Sequence, residues 1–258
     1  MMTGSLSNKT ILLTRPIDQA KRDQFMIEEL GGTALILPMI ETRALHGSHG
    51  QSMINQLGTF DWVILTSRNA AKYFLDRLTE ADAVSELRLC KVGAVGQKTA
   101  AFLYDHGIEA DFVPSSFKGA DFIKEFPADE VRGLNMLFPQ GNIARGEIAA
   151  AFEKEGATCK VWTLYETFKP DIDTEKLSSI TQVDVVTFAS PSAVRHFVES
   201  AEKAGAPILT RMKEGRVKIA SIGPTTSSEL FKRGLPVHME PADYTIKAMI
   251  EKIAACME

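Results

Sequence analysis

The chain is poor in the residues that usually announce chemistry. Its 258 residues include three cysteines, five histidines and two tryptophans. Cys90, Cys159 and Cys256 are odd in number, far apart and outside any Cys-x-x-Cys spacing, which excludes a disulfide framework or a cysteine-based zinc knuckle and suits a reducing compartment. There is no Walker loop, no Gly-x-Gly-x-x-Gly after an apolar run, no His-Glu-x-x-His and no Gly-x-Ser-x-Gly elbow. His46 and His49 form the one close histidine pair, in a glycine-serine stretch without further ligands to name, and read as a solvated loop. His106, His196 and His238 stand alone and read as surface residues. No metal is expected. Apolar runs stay short of the ~18 residues that would suggest a membrane span, and the first ten residues lack a basic flank leading into an apolar core. A cytoplasmic chain is expected. An excess of one charge is also missing: 29 basic and 33 acidic residues give a net charge of −4. That balance points away from nucleic acid and membrane surfaces, and an anionic ligand would have to be held by local geometry.

What is present is a repeat. Lys218 to Pro241 overlies Lys91 to Pro114 at a constant offset of 127 positions, keeping Lys, Gly, Thr, Leu, Gly and Pro in place. Each copy reads as an apolar strand ending at a glycine (Gly96, Gly223), a small-residue helix, a closing glycine (Gly107, Gly234) and a returning strand. Such a helix opens its free N–H groups onto the turn, where anions bind.

The rest of the chain follows the same rhythm. Ile11 to Thr14 reads as a strand, Asp18 to Leu30 as a helix, Thr33 to Leu37 as a strand, and Pro38 to Arg43 as an extended arm running into the polar stretch His46 to Gly50. Asp61 to Leu65 is a buried strand, and Thr66-Ser67 caps a helix carrying Asn69 through Leu78. Lys118 to Phe126 reads as a short helix and Pro127 to Gly133 as a polar break. The pattern then restarts, with a strand over Leu134 to Phe138, a helix over Asn142 to Glu155 and an extended return over Ala157 to Thr167. Asp184 to Ala189 is a further strand, Ser190-Pro191 a helix start, and Tyr244 to Met257 a final helix. Each element of the first half thus has a partner 123 to 127 residues later. This describes an internally duplicated β/α unit with parallel sheets and right-handed crossovers. Periodicity leaves open whether the chain is cut into 1–130 and 131–258, or whether the opening strand and helix join the C-terminal half.

Hydroxyl groups recur at the strand ends and helix starts: Thr14, Thr66, Ser67, Thr99, Ser190, Ser192, Thr225 and Thr226. Each suffices as a helix cap. Their number matters, because the ends of parallel strands gather at one edge of a sheet, where doubly wound folds bind ligands. Arg15, Arg68, Lys98 and Arg145 lie near these ends, placed to pair with carboxylates. Tyr165, in the second extended arm, is the phenol placed to face a cleft between domains.

These residues converge on one family. Thr14-Arg15-Pro16, Leu65-Thr66-Ser67-Arg68-Asn69-Ala70, Val95-Gly96 with Thr99, and Phe138-Pro139-Gln140-Gly141 with Arg145 occur in order. They are followed by Tyr165-Glu166-Thr167, Ser190-Pro191-Ser192-Ala193-Val194 and Ile222-Gly223-Pro224-Thr225-Thr226. In this order and spacing the chain resembles the uroporphyrinogen-III synthases over nearly its whole length. Gln140 departs from the pattern, standing where many members look to have a basic residue. The resemblance implies two flavodoxin-like α/β domains with parallel sheets, joined by a two-stranded β-ribbon. The implied boundaries are 1–38 with 169–258 for one domain, 45–158 for the other, and 39–44 with 159–168 for the linker. It implies a cofactor-free monomer that takes a linear tetrapyrrole, hydroxymethylbilane, with transient contact to hydroxymethylbilane synthase. In the implied reaction the bilane loses its ring A hydroxyl as water, ring D attacks through its substituted carbon, and a spiro intermediate recloses with ring D inverted. Carried over to this sequence, Tyr165 is the tentative catalytic residue. Arg15, Thr66, Ser67, Arg68, Gly96, Lys98, Thr99, Arg145, Ser190, Ser192, Thr225 and Thr226 are the implied substrate-binding residues. Two-lobed solute receptors and a degenerate paralogue that has lost activity are the rival readings.

Overall fold

The computed structural model describes residues 5–47, 50–115, 119–126, 131–172 and 174–257. His49, the helix start expected at Lys118 and most of the polar break over 127–133 lie outside the described residues. In chain order the strands are β1 (Thr10–Leu13), β2 (Thr33–Ile36), β3 (Glu41–Ala44), β4 (Trp62–Leu65), β5 (Lys91–Ala94), β6 (Asn135–Gly141), β7 (Thr158–Phe168), β8 (Val185–Phe188) and β9 (Lys218–Ser221). The helices are α1 (Ile17–Glu29), α2 (Gly50–Asn55), α3 (Arg68–Glu80), α4 (Gln97–Tyr104), α5 (Gly119–Glu125) and α6 (Glu147–Lys154). They continue as α7 (Thr174–Ser178), α8 (Pro191–Lys203), α9 (Ile208–Lys213), α10 (Pro224–Lys232) and α11 (Ile246–Met257).

Two compact units result: Met1–Glu41 with Phe168–Glu258, and Thr42–Thr167. The first holds a sheet of order β2-β1-β8-β9, parallel throughout. Alternation along its strands feeds two cores. Leu12, Val186, Phe188 and Ile219 pack with Phe197 of α8 and Leu230 of α10, whereas Ile11, Leu13, Val185 and Ala220 pack with Ile27 of α1 and Ile250 of α11. The second unit holds the order β3-β7-β6-β4-β5. Val63, Leu65, Val92 and Leu137 face Phe74 of α3 and Leu103 of α4; Trp62, Ile64, Met136 and Phe138 face Phe122 and Phe152. Burial on both faces is why these strands are continuous apolar runs.

The same hydrogen bonds recur in both units. The Asp61 carboxylate accepts from the Asn135 N–H at 2.8 Å, and the Asp184 carboxylate accepts from the Thr10 N–H at 2.8 Å. Beyond the last strands, Gly93 bridges Phe112 and Ala220 bridges Met239, both in parallel sense. Thus β1 does beside β8 what β6 does beside β4, although β1 opens the chain.

Several elements differ from expectation. Residues 159–168, expected as one strand of the linker ribbon, form nearly all of β7, which also pairs with β6, from Asn135↔Thr158 to Gly141↔Tyr165. On its other side lies β3: the Leu45 N–H donates to the Leu164 carbonyl, and Arg43 pairs with Glu166 at 2.5 Å. Because the β3 number rises as the β7 number falls, those two strands run antiparallel. The helix expected from Asn142 begins only at Glu147. Gly146 has φ +69°, and the Asn142 side chain is taken up by Thr167, accepting from its N–H at 2.9 Å. The short helices α2, α7 and α9 lack a periodic stretch long enough to read.

Candidate functional site

In the second unit, β4, β5, β6 and β7 are parallel, so their carboxyl ends share one edge. After β4 the chain turns at Thr66 and Ser67. Ser67 is extended (φ −155°, ψ 158°) and its Oγ accepts from the Ala70 N–H at 3.1 Å, capping α3. Gly96 occupies the same place before α4 and Gly146 before α6. Thr66, Gln140, Arg145 and the first turn of α6 surround a concavity of about 220 Å³. Arg145 is 86% exposed, with Nη1 3.7 Å from Glu147. Among the described residues it is the one cation lining this concavity, beside a neutral Gln140.

Tyr165 comes to the same edge from β7. It is only 8% exposed, stacked on Tyr73 with ring centroids 4.6 Å apart at 15°. Its phenol is hydrogen-bonded to the Ser67 side chain. Burial pushes the phenol above its ordinary range, the Ser67 bond opposes this, and Tyr73 adds to the rise. The phenol is therefore held neutral. The expected open phenol is instead a packed one, because β7 belongs to the sheet and lays Tyr165 among core residues. Tyr73 in turn donates to the Thr42 Oγ1 at 2.9 Å.

The remaining residues of this edge divide. Lys98 is exposed. Arg68 lies over the Phe102 ring, its Cζ 5.2 Å from the centroid, which occupies one face of the guanidinium. Thr99 is 4% exposed, on the inner face of α4 beside Leu103. It supports the helix from within and presents no hydroxyl outward.

In the first unit the edge is formed by β1, β8 and β9. The Ser190 Oγ accepts from the Ala193 N–H at 3.2 Å, with Pro191 next, and caps α8. Ser192 is engaged by Arg195, whose Nη2 donates to its Oγ at 3.0 Å. Gly223 precedes α10, and a Cβ there would lie 2.9 Å from Cδ1 of Tyr244, an exposed ring laid across this helix start. Thr225 is exposed, whereas Thr226 is 3% exposed and faces inward with Leu230. Arg15 is already committed: Nη1 pairs with Asp23 at 2.7 Å and Nη2 donates to Gln19 at 2.6 Å. Burial raises the Asp23 carboxyl, and Arg15 opposes that rise. Thr14 is buried and donates to the Thr187 carbonyl at 2.7 Å.

Three histidines expected at the surface are also engaged, His106 with its Nδ1 2.7 Å from the Phe102 carbonyl. The His196 Nδ1 is 2.7 Å from the Met39 carbonyl, and the His238 Nδ1 accepts from the Ile219 N–H at 3.1 Å. Among the described residues no group of three or more His, Cys, Asp or Glu side chains is arranged to hold a metal, and no helix is long and apolar enough to cross a membrane. Sequence reasoning missed Tyr73 and Tyr244, and gave Gly141 only as part of a motif. Gly141 had a signal, a glycine closing an apolar strand as Gly96 and Gly223 do; Tyr73 and Tyr244 had none, since their partners are remote in sequence.

Comparison with known proteins supplies the family. A family model described as uroporphyrinogen-III synthase HemD matches residues 22–251. The chain is 29% identical over 256 residues to the uroporphyrinogen-III synthase of Chlorobaculum parvum, covering 97% of this chain and 100% of that one. With the enzyme of the same name from Synechococcus elongatus it shares 30% identity over 259 residues, covering 97% and 96%. Among solved structures, a mutant uroporphyrinogen III synthase from Thermus thermophilus matches with a TM-score of 0.62 at 17% identity, over 97% of this chain and 100% of that one. The synthetase from Helicobacter pylori matches with a TM-score of 0.61 at 16% identity, again over 97% and 100%. At such identities the structural likeness speaks for the α/β fold. The family model spans most of the sequence, and this chain belongs to the uroporphyrinogen-III synthase family.

Proposed function

We propose that the chain cyclises hydroxymethylbilane to uroporphyrinogen III, with loss of water and inversion of ring D. The observation that carries this is the family match over residues 22–251, supported by full-length relatives of that name. In this reading the two units are flavodoxin-like domains of one duplication, with β3 and β7 as the ribbon that joins them. The protein acts as a cytoplasmic monomer that receives its substrate from hydroxymethylbilane synthase and draws on no cofactor.

The chemistry asks for little beyond placement. One proton must reach the departing ring A hydroxyl, which leaves as water and gives an electrophilic azafulvene. The substituted α-carbon of ring D attacks, the spiro intermediate fragments, and reclosure at the other α-carbon returns a proton. Since the bilane also closes unaided without inversion, the protein must hold one conformer and outrun that path. Positioning supplies ~7–11 kcal/mol in favourable cases.

The acetate and propionate groups are assigned to the free N–H groups behind Ser67, Gly96, Ser190 and Gly223, where helix dipoles favour negative charge. Thr66 and Arg145 border a concavity of a size to take one such arm. Ser192, Thr225 and Lys98 contribute at the margins. Tyr165 is the donor to the departing hydroxyl or to the macrocycle, a neutral phenol already oriented by Ser67. Arg15 and Arg68, being engaged, act by shaping their turns.

The test is to generate hydroxymethylbilane in situ, add the purified chain without metal or cofactor, oxidise the products and separate the porphyrin isomers. Type III product well above the spontaneous type I background is expected. Type I alone, from folded protein, would overturn the proposal.

A further inference from the structure

Tyr165 breaks the alternation of its own strand. Along β7, Trp162 and Leu164 pack on the α3 side of the sheet, whereas Val161 and Thr163 are exposed. Regular alternation would send Tyr165 away from α3, yet it packs in the same cluster as Leu164. The cause is one extra residue: Gln140 pairs with Thr163 but Gly141 pairs with Tyr165, so Leu164 is passed over. Such a bulge re-aims the side chain beside it and disrupts the ladder locally.

The main chain after the bulge is tied down. The Asn142 N–H donates to the Tyr165 carbonyl at 3.0 Å, and the Thr167 N–H donates to the Asn142 Oδ1 at 2.9 Å. These bonds fix the backbone and leave the direction of the ring to its neighbours. Among them Tyr73 gives the broadest contact, stacked at 4.6 Å between centroids. Tyr73 is itself only half-buried. What keeps it on Tyr165 is its hydroxyl, which donates at 2.9 Å to the Thr42 Oγ1 on the edge strand β3.

The first unit has the same tie without the phenol. Six positions after the capping serine of each helix stands a polar ring bonded to an extended arm: Tyr73 after Ser67 reaches Thr42, and His196 after Ser190 lies 2.7 Å from the Met39 carbonyl. In the repeat, however, the place of Tyr165 is taken by Ile40, 125 positions earlier, which has no proton to give. The tie therefore belongs to both copies of the fold, and in the second it has been enlarged into a stacking ring that backs a phenol.

We propose that Tyr73, anchored on Thr42, is a positioning residue that aims the Tyr165 phenol for the cyclisation. It acts through Tyr165, by narrowing the directions open to a ring that the bulge has freed from the regular ladder. The kinetic part of this inference rests on the reaction proposed above; the structural part rests on the tie alone.

The test uses the full chain with its four tyrosines carrying carbon-13 at Cζ. The Tyr165 signal is the one lost in Tyr165→Phe. Thr42→Val keeps the branched shape and removes the acceptor without touching Tyr165, and it should shift that signal, whereas Thr42→Ser should leave it at the parent position. With hydroxymethylbilane as substrate, Thr42→Val and Tyr73→Phe should each lower kcat about threefold to tenfold with KM unchanged. In the Tyr165→Phe background neither should lower it further, because both act through that phenol. A Tyr165 signal unmoved by Thr42→Val and by Tyr73→Phe would overturn the proposal whatever the activity. So would an active parent whose kcat is unchanged in both variants, or a loss of kcat that persists in full in the Tyr165→Phe background. A parent that makes no type III product while the signal moves as expected would instead overturn the cyclisation reading, with the positioning of the phenol upheld.

Discussion

Gly141 passes beneath the Tyr165 ring so closely that a Cβ on it would stand 2.6 Å from both Cε2 and Cζ and 3.0 Å from the hydroxyl. The ring has nowhere to yield, because Tyr73 is stacked on it at 4.6 Å. Gly141→Ala therefore has to displace the phenol from Ser67 or bend the end of β6. Overpacking of this kind costs about 1–3 kcal/mol. Thermal unfolding should fall accordingly, and the type III fraction should fall with it. A variant that melts and turns over like the parent would show that the Tyr165 position is not tightly defined.

Ser67 serves two partners, the Ala70 N–H and the Tyr165 phenol. Ser190, its counterpart on α8, accepts from the Ala193 N–H as its cap bond. Removing the Ser190 cap should cost about 1 kcal/mol. Ser67→Ala should cost more, since it also strands a buried hydroxyl, worth about 1–3 kcal/mol. A double-mutant cycle of Ser67→Ala and Tyr165→Phe, followed by urea unfolding, should show a coupling near 1 kcal/mol. Strict additivity would mean that the two side chains do not support each other.

Tyr165→Phe keeps the stacked ring and deletes the donor. If the phenol bonds the departing hydroxyl, turnover should drop about tenfold or more with the fold intact, since one lost hydrogen bond to developing charge is worth roughly 1.5–3 kcal/mol. The pH profile adds a second readout. Burial raises the Tyr165 phenol above its ordinary value, so it remains protonated through the alkaline range. The rate should show no basic limb from this residue below about pH 10. A limb near pH 8 that disappears in the variant would contradict the buried, neutral phenol.

The caps were legible because they are local. A hydroxyl followed by a small-residue helix, as at Ser67 and Ser190, is fixed by three or four residues of chain. The repeat was legible for the same reason, and the recurring bonds of Asp61 and Asp184 follow from it. The inward turn of Thr99 and Thr226 was also written in the sequence, since Leu103 and Leu230 lie four residues on along the same faces. What local pattern could not carry was partnership at a distance. Tyr165 meets Ser67 and Tyr73 across about ninety residues only because β7 and β4 lie in one sheet, with β6 between them. Asp23 closes on Arg15 only because α1 turns back over the end of β1.

His238 gives the last prediction, and the repeat supplies its control. In the second unit the Val92 N–H is satisfied by an Asp111 carboxylate; in the first, the equivalent Ile219 N–H is satisfied by the His238 Nδ1. An imidazole nitrogen accepts only while unprotonated. Burial lowers the His238 value, and the nearby Lys218 lowers it further. A lowered value in the folded state means that the unfolded chain binds the proton more readily. The contribution is therefore complete above the ordinary imidazole range, near pH 6.5, and is lost as pH falls through the folded value. His238→Asp installs the sister unit's acceptor, which stays charged through that window. Urea unfolding from pH 7.5 to pH 5 should show the parent losing stability relative to the variant. A constant packing loss from the missing ring will offset the two curves without changing their difference in slope. Parallel curves would mean that the Ile219 N–H does not depend on a neutral imidazole.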